Sequence, residues 1–402
     1  MPFLTIYHVF YEDPDVLPAH VFEVCAHLAR AGHRVSLFSR LDPSLVDLSQ
    51  LANLGVTLVR VPGLQVRGLS EPAFLASLAR VLAPRAREDR PDALYVRHSG
   101  ASAACAVLAR ALSIPLILEV NDNTLARTRY TGVRRLKSAW IRAYERFAFP
   151  RADLIFPVTD GIRDWIAASF PVAPDRVQTL ENGVDDVRFS PLDPAACRER
   201  FAIPPDRPVA GYLGSFFEWA GLDLLVEAAP AILEKVPNAL FVLGGGEEPC
   251  FSRLQELARE AGISHAFRFF GRVPYEDAPA FINTMDLCLA PANFTDPGTG
   301  ISAQKVMAYL ACGKPVAGSD IRGLGDLLER EGAGVSFPMG DPGALARAVA
   351  QFLPDAPRLA AMGQAGRTLA QTRSWSVQTA HIAEMAGELS KRRKRGLEGS
   401  PL

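Results

Sequence analysis

Two doubly wound α/β domains, each a parallel sheet flanked by helices, are what this sequence predicts. Three observations carry the expectation. Short apolar, strand-like runs alternate with helical patterns almost throughout, the signature of βα units feeding parallel sheets. The segment 186–208, DVRFSPLDPAACRERFAIPPDRP, carries five prolines and breaks that rhythm, as a linker does. The 402 residues exceed one ordinary domain and divide naturally into two of ~200.

In the first half, strands are expected at 3–9, 34–39, 56–61, 93–97, 115–120, 153–158 and 177–180, with helices near 18–31, 71–83, 100–112, 133–149 and 159–169. The second half repeats the pattern. Its strands fall near 208–213, 239–243, 266–270, 286–290, 314–318 and 333–337, and its helices near 222–235, 250–261, 275–284, 300–312 and 341–353. The expected division is a first domain over 1–190, a linker over 191–207 and a second domain over 208–373. A helix over 374–390 crosses back to the first domain, and a disordered basic tail covers 391–402. Ligands of such sheets gather beyond the C-terminal strand ends, so a cleft between two facing domains is the expected site.

The 49% hydrophobic and 22% charged content is that of a soluble globular protein. A net charge of −1 carries no nucleic-acid signature. Six scattered cysteines without C-x-x-C spacing argue against a zinc site or a disulfide scaffold. With no long apolar run, a cytoplasmic location is expected. A G-x-x-x-x-G-K-[ST] phosphate loop is absent, and residues 10–20 after the first strand contain no glycine. Those two facts weigh against a P-loop ATPase and a dinucleotide enzyme.

The stretch 296–316, DPGTGISAQKVMAYLACGKPV, reads as a Gly-rich loop, a helix and a turn into a strand. Free N–H groups and the dipole at the start of that helix suit an anion. Ser302, Lys305 and Tyr309 share one stripe; Ala303, Val306, Met307 and Leu310 share the apolar one. A surface helix with one solvated lysine is the plainer reading. Gly211 to Ser215 and Gly244-Gly245-Gly246 end the first two strands of the second half, where backbone can approach a phosphate. Glu119-Val120-Asn121-Asp122 closes a buried strand; Asp122 either faces substrate or caps a helix. Arg97 and His98 end the preceding strand as candidate substrate contacts, although a lone histidine is more often structural, and His20, opening the first helix, is a weaker candidate. The segment 127–151 is basic and aromatic, and 391–395 reads KRRKR. These suit either an anionic membrane surface or, respectively, a core face with a solvated back and a free tail.

Taken in order, these pieces resemble glycosyltransferase family 4, the retaining enzymes of GT-B fold. The matching residues are Leu28 to Val35, Pro91 to Tyr95, Ala152 to Ile155 with Asp160, Glu181 to Asp185 with Phe189 and Pro191, Gly211 to Ala228, Phe270 to Val273, Cys312 to Val316, and Trp375. The resemblance implies two Rossmann-like domains facing a cleft. It also implies transfer of a sugar from a nucleotide diphosphate sugar, with retention and without a metal or other cofactor. The donor would lie on the second domain. The acceptor, a saccharide, lipid-linked or small molecule, would lie on the first. Carried over by position, Gly214, Ser215, Gly245, Arg272, Val273, Thr299, Gly300, Ile301, Ser302 and Lys305 would hold the donor. Asn121, Asp122 and Lys305 would serve catalysis, and His20, Arg97 and His98 the acceptor. The family's Glu-x7-Glu carboxylates fall at Gly300 and Ala308 here, and its usual Arg and Lys at Ser215 and Ala220. Three readings follow: an active transferase with an altered donor pocket, a degenerate GT-B protein acting as a binding or partner subunit, or a sugar-nucleotide epimerase.

Overall fold

A computed structural model describes residues 3–11, 15–63, 70–122, 135–246, 248–293 and 304–398. The chain divides into two compact units: unit 1 is Met1–Asn182 with Trp375–Leu402, and unit 2 is Gly183–Ser374.

Unit 1 holds six parallel strands: β1 (Thr5–Val9), β2 (Arg34–Ser39), β3 (Thr57–Arg60), β4 (Ala93–Arg97), β5 (Leu116–Val120) and β6 (Leu154–Pro157). Their order is β3-β2-β1-β4-β5-β6. Strands covered on both faces read as continuous apolar runs, and alternate residues feed opposite layers. Tyr7, Val9, Leu94, Val96, Leu116 and Leu118 pack on one face with Cys105, Phe149 and Ile166. Ile6, Tyr95, Ile117 and Phe156 face the other, with Val24 of the helix Ala19–Arg30 and Ile382 of the helix Trp375–Glu398. Each fully buried aliphatic side chain here contributes about 1.5–3 kcal/mol.

Unit 2 repeats the design. Its strands are β7 (Val209–Leu213), β8 (Leu240–Gly244), β9 (Phe267–Phe270), β10 (Leu287–Ala290), β11 (Val316–Ser319) and β12 (Gly334–Phe337), in the order β12-β11-β10-β7-β8-β9. In both sheets the order reverses beside the first strand, between β1 and β4 and between β7 and β10. Such a reversal opens a crevice at the C-terminal strand ends.

Several expectations are corrected. The segment 177–180 is no strand; Val177 makes only an isolated bridge to Ile155. The expected linker contains the helix Pro194–Arg200, started by Pro194 and capped by the Asp193 carboxylate. It belongs to unit 2, fixed by Arg198 donating to the Thr284 carbonyl and to Asp286. The basic tail is not disordered over 391–395: its helix runs to Glu398. Ser390 and Lys394 bond Asp92 at 2.8 and 3.0 Å, and Arg393 bonds Asp153 and the Ile114 carbonyl. In the helix Arg135–Ala148, Ile141, Tyr144 and the Phe149 that follows are buried, while Trp140 is exposed. The aromatic side of that segment is a core face; Arg127, Arg129 and Arg134 lie outside the described residues. Among the described residues no helix is long and apolar enough to cross a membrane.

Candidate active site

In unit 1 a polar cluster sits at the C-terminal ends of β1, β4 and β5. Glu119, next to last in β5, falls on the same face as Tyr95 and Ile117 by strand alternation, and it is buried. Its carboxylate accepts hydrogen bonds from the Tyr95 hydroxyl and the Asn121 side-chain amide. His20 Nε2 lies 3.5 Å away. His8 stands edge-on to Tyr95 and 3.4 Å from Cys25 Sγ. Burial pushes both His8 and His20 down to about 4, so both are neutral at pH 7. Burial would raise Glu119, but His20 and the bonds from Tyr95 and Asn121 together hold it below the usual carboxylate range.

Arg97 ends β4 with its guanidinium 5.7 Å from the Phe10 ring centroid. His98 follows, its N–H donating to the Glu119 carbonyl at 2.7 Å. The His98 ring is wedged between Ser102 Oγ at 3.1 Å and the buried Glu145 carboxylate at 3.6 Å. The structure therefore brings His20 and Asn121 together through Glu119, places Asp122 beside them in sequence, and turns His98 inward. Glu119 and Tyr95 are the residues that motif reasoning underweighted. A glutamate at the end of an otherwise apolar buried strand was the available signal, since such a charge persists only when paired.

In unit 2 the corresponding reversal point is occupied by Lys305. It lies on the helix Gln304–Ala311, which follows β10, and reaches across to the end of β7. That helix is anchored by the buried Tyr309, whose hydroxyl donates to the Leu213 carbonyl at 2.9 Å and accepts from the Leu213 N–H at 2.8 Å. Tyr309 is thus a clamp and not part of an open polar stripe. Lys305 Nζ donates to the Tyr212 hydroxyl at 2.6 Å, and Tyr212 donates onward to the Ser215 carbonyl at 2.9 Å. The ammonium also lies 4.4 Å from the Tyr212 ring centroid and 5.7 Å from that of Trp219. Burial lowers its pKa from 10.5 to about 8. Among the described residues no carboxylate pairs with it.

The glycines explain the approach. A Cβ on Gly214 would meet the Tyr212 hydroxyl at 3.0 Å and Lys305 Nζ at 3.4 Å. Gly245, at φ +102°, lies so close to the Gly214 carbonyl that a Cβ would sit 2.2 Å from its oxygen. The Gly214 N–H bonds the Gly244 carbonyl and the Gly245 N–H bonds the Gly271 carbonyl, at 3.0 and 2.8 Å. The loops after β7, β8 and β9 are thereby tied together. Arg272, exposed, and Val273, half-buried, continue the third loop. Ser215 is exposed, Ala220 is buried in the core and Ala308 is half-buried. Thr299, Gly300, Ile301 and Ser302 lie outside the described residues.

Comparison with known proteins bears on both units. Residues 18–188 match the Glycosyltransferase Family 4 model, and residues 195–369 match Glycosyl transferases group 1. The chain is 29% identical over 301 residues to the 2-deoxystreptamine N-acetyl-D-glucosaminyltransferase of Streptomyces fradiae, covering 72% of this chain and 69% of that one. It is 27% identical over 410 residues to the D-inositol 3-phosphate glycosyltransferase of Salinispora tropica, covering 94% and 81%. HepE of Anabaena, solved in complex with UDP and glucose, superposes with a TM-score of 0.75 at 16% identity, over 95% of this chain and 99% of that one. With two six-stranded parallel sheets and both family matches in order along the sequence, the chain is a glycosyltransferase of GT-B fold, with a family 4 half followed by a group 1 half.

Proposed function

We propose that the protein transfers a sugar from a nucleotide diphosphate sugar to an acceptor hydroxyl, with retention of configuration and without a metal. The observation that carries this is Lys305: a half-buried ammonium, partnered only by a neutral hydroxyl among the described residues, at the crevice of the unit 2 sheet. A diphosphate there gains a charge-assisted contact and closely approaching backbone at Gly214 and Gly245. In the reaction the bond from the anomeric carbon to the diphosphate breaks. The acceptor oxygen bonds that carbon and its proton passes to the departing phosphate. Lys305 stabilises the negative charge that develops on the leaving group, the part a divalent cation plays elsewhere. Arg272 is a second cation for the donor, and the family resemblance adds Thr299, Gly300, Ile301 and Ser302 as donor contacts.

Unit 1 supplies the acceptor subsite. Asn121, its amide tied back to Glu119, and Asp122 border the reacting hydroxyl, with His20 and Arg97 around it; His98, turned inward onto Ser102 and Glu145, holds the end of β4 and does not reach the acceptor. Two relatives are named for small cyclic acceptors, 2-deoxystreptamine and D-inositol 3-phosphate, which favours a small-molecule acceptor. Ser215, Ala220 and Ala308, standing where ionic residues are usual, motivate a second reading: a GT-B protein that binds nucleotide without turnover.

Thermal melting with UDP, GDP, ADP, TDP and CMP tests the proposal. Ligand at a hundred times its Kd stabilises by about 2.7 kcal/mol, so one nucleotide should raise the melting temperature by several degrees. Lys305→Ala should remove the shift. No response to any nucleotide at millimolar concentration overturns the reading. A response without release of sugar to any acceptor supports the binding-only alternative.

A further inference from the structure

Unit 1 carries a second open pocket, of about 350 Å³, at the C-terminal ends of β2 and β3. Its lining includes Arg40, which follows β2, Arg60, the last residue of β3, and the Val61-Pro62-Gly63 segment after it. Arg60 is paired with Asp42 at 2.7 Å, and Asp42 also accepts from Ser44. Arg40 differs. It is half-buried, lies 5.3 Å from the Tyr11 ring centroid, and donates to no acceptor among the described residues. Gly63 leaves room for it: a Cβ there would come 3.2 Å from Arg40 Nε. Among the described lining residues two guanidinium groups stand against one carboxylate, a net positive balance, and a planar group with five donors suits an oxyanion.

Position adds to chemistry. β2 is the direct neighbour of β1, and Tyr11, under Arg40, follows β1. With strands ~4.8 Å apart, the pocket lies about 5–10 Å along the sheet edge from the β1–β4 crevice. That span suits an anionic group a few bonds away from a hydroxyl held in the crevice.

We propose that this pocket is an anion subsite for the acceptor, taking a phosphate carried on the acceptor molecule, with Arg40 as its main contact and Arg60 as the second. The inference rests on unit 1 being the acceptor half. The phosphate belongs either to a soluble phosphorylated polyol or to a lipid headgroup, and the test separates them.

Titration of the full chain with glycerol 3-phosphate at low salt, with glycerol as the uncharged control, reads the soluble source. Pelleting with phosphatidylcholine vesicles, with and without phosphatidylinositol, reads the lipid source. Glycerol 3-phosphate binding that weakens at least tenfold in Arg40→Gln, partly recovers in Arg40→Lys and persists in Lys305→Ala supports a soluble acceptor. Arg40-dependent pelleting with phosphatidylinositol alone supports a lipid-borne one. Equal binding by wild type and Arg40→Gln, loss in Lys305→Ala instead, or no binding of either probe overturns the proposal. The Arg40→Gln melting temperature without ligand checks folding. Its response to nucleotide should match wild type, so failure of the anion subsite and failure of donor binding are read separately.

Discussion

The two crevices solve opposite problems with buried polar groups. In unit 1 the charge is a carboxylate, and the protein satisfies it: Tyr95 and Asn121 donate to Glu119, and His20 stands beside it. In unit 2 the charge is an ammonium, and the described residues leave it short: among them Lys305 has one neutral hydroxyl and two ring faces. A satisfied charge orients its neighbours and gains little from a ligand, whereas an undercompensated one gains most when an opposite charge arrives. The first arrangement is therefore built for positioning and the second for binding.

The largest expected effect tests the second half of that contrast. Lys305→Met should lower kcat/KM by about 10²–10³, the range seen when one group stabilising a developing oxyanion is removed. Loss confined to KM would mean that Lys305 binds the ground state and transition state alike. Nucleotide affinity should also fall as pH rises through about 8, where Lys305 loses its proton, although a bound diphosphate will move that midpoint upward. An affinity flat from pH 7 to 9.5 would remove the ammonium from the site.

Next comes the satisfied cluster. His8 and His20 fold with pKa values pushed from 6.5 to about 4 by burial. Between those limits the unfolded chain binds more protons, so stability must fall as the pH falls from 6.5 toward 4. The loss approaches about 3 kcal/mol for each histidine at the lower limit. Glu119, held below its ordinary range, adds a loss at still lower pH, as its carboxylate takes up a proton. Melting curves from pH 7 to 4 should slope steeply, and His20→Asn should flatten them. An unchanged slope would show that His20 titrates alike in the folded and unfolded chain, and a steeper one that it is held protonated in the fold; either would narrow the contrast between the crevices.

Strand positions were legible because buried parallel strands are short apolar runs bounded by turn residues; the run ILEV at 117–120 is unmistakable even with its glutamate. The linker was not legible, because five prolines suggest a break while Pro194 behind Asp193 is equally a helix start. The basic tail misled for a related reason. Lys394 and Arg393 are neutralised by Asp92 and Asp153, residues distant in sequence, and local charge counting has no access to such pairs. At the unit 2 crevice, Lys305 and the glycines were visible as a pattern. The role of Tyr212 was not, because an aromatic on a buried strand reads as core, and only the reach of Lys305 across the crevice reveals its hydroxyl as the anchor.

The smallest expected effect concerns the Lys305 surroundings. Trp219 is 42% exposed and stacked on the 56% exposed Phe217, 5.6 Å away. Its ring lies near the outer limit of the cation–π range from Lys305, where the attraction is about 0.5–1 kcal/mol. Trp219→Leu should therefore change nucleotide affinity by no more than about fivefold, and the unliganded melting temperature very little. If Lys305 is short of compensation, losing one weak partner should strengthen its hold on a diphosphate, so affinity should stay level or rise slightly. A drop well beyond fivefold would mean that the ring touches the ligand itself, and the unit 2 crevice would then bind by stacking as well as by charge.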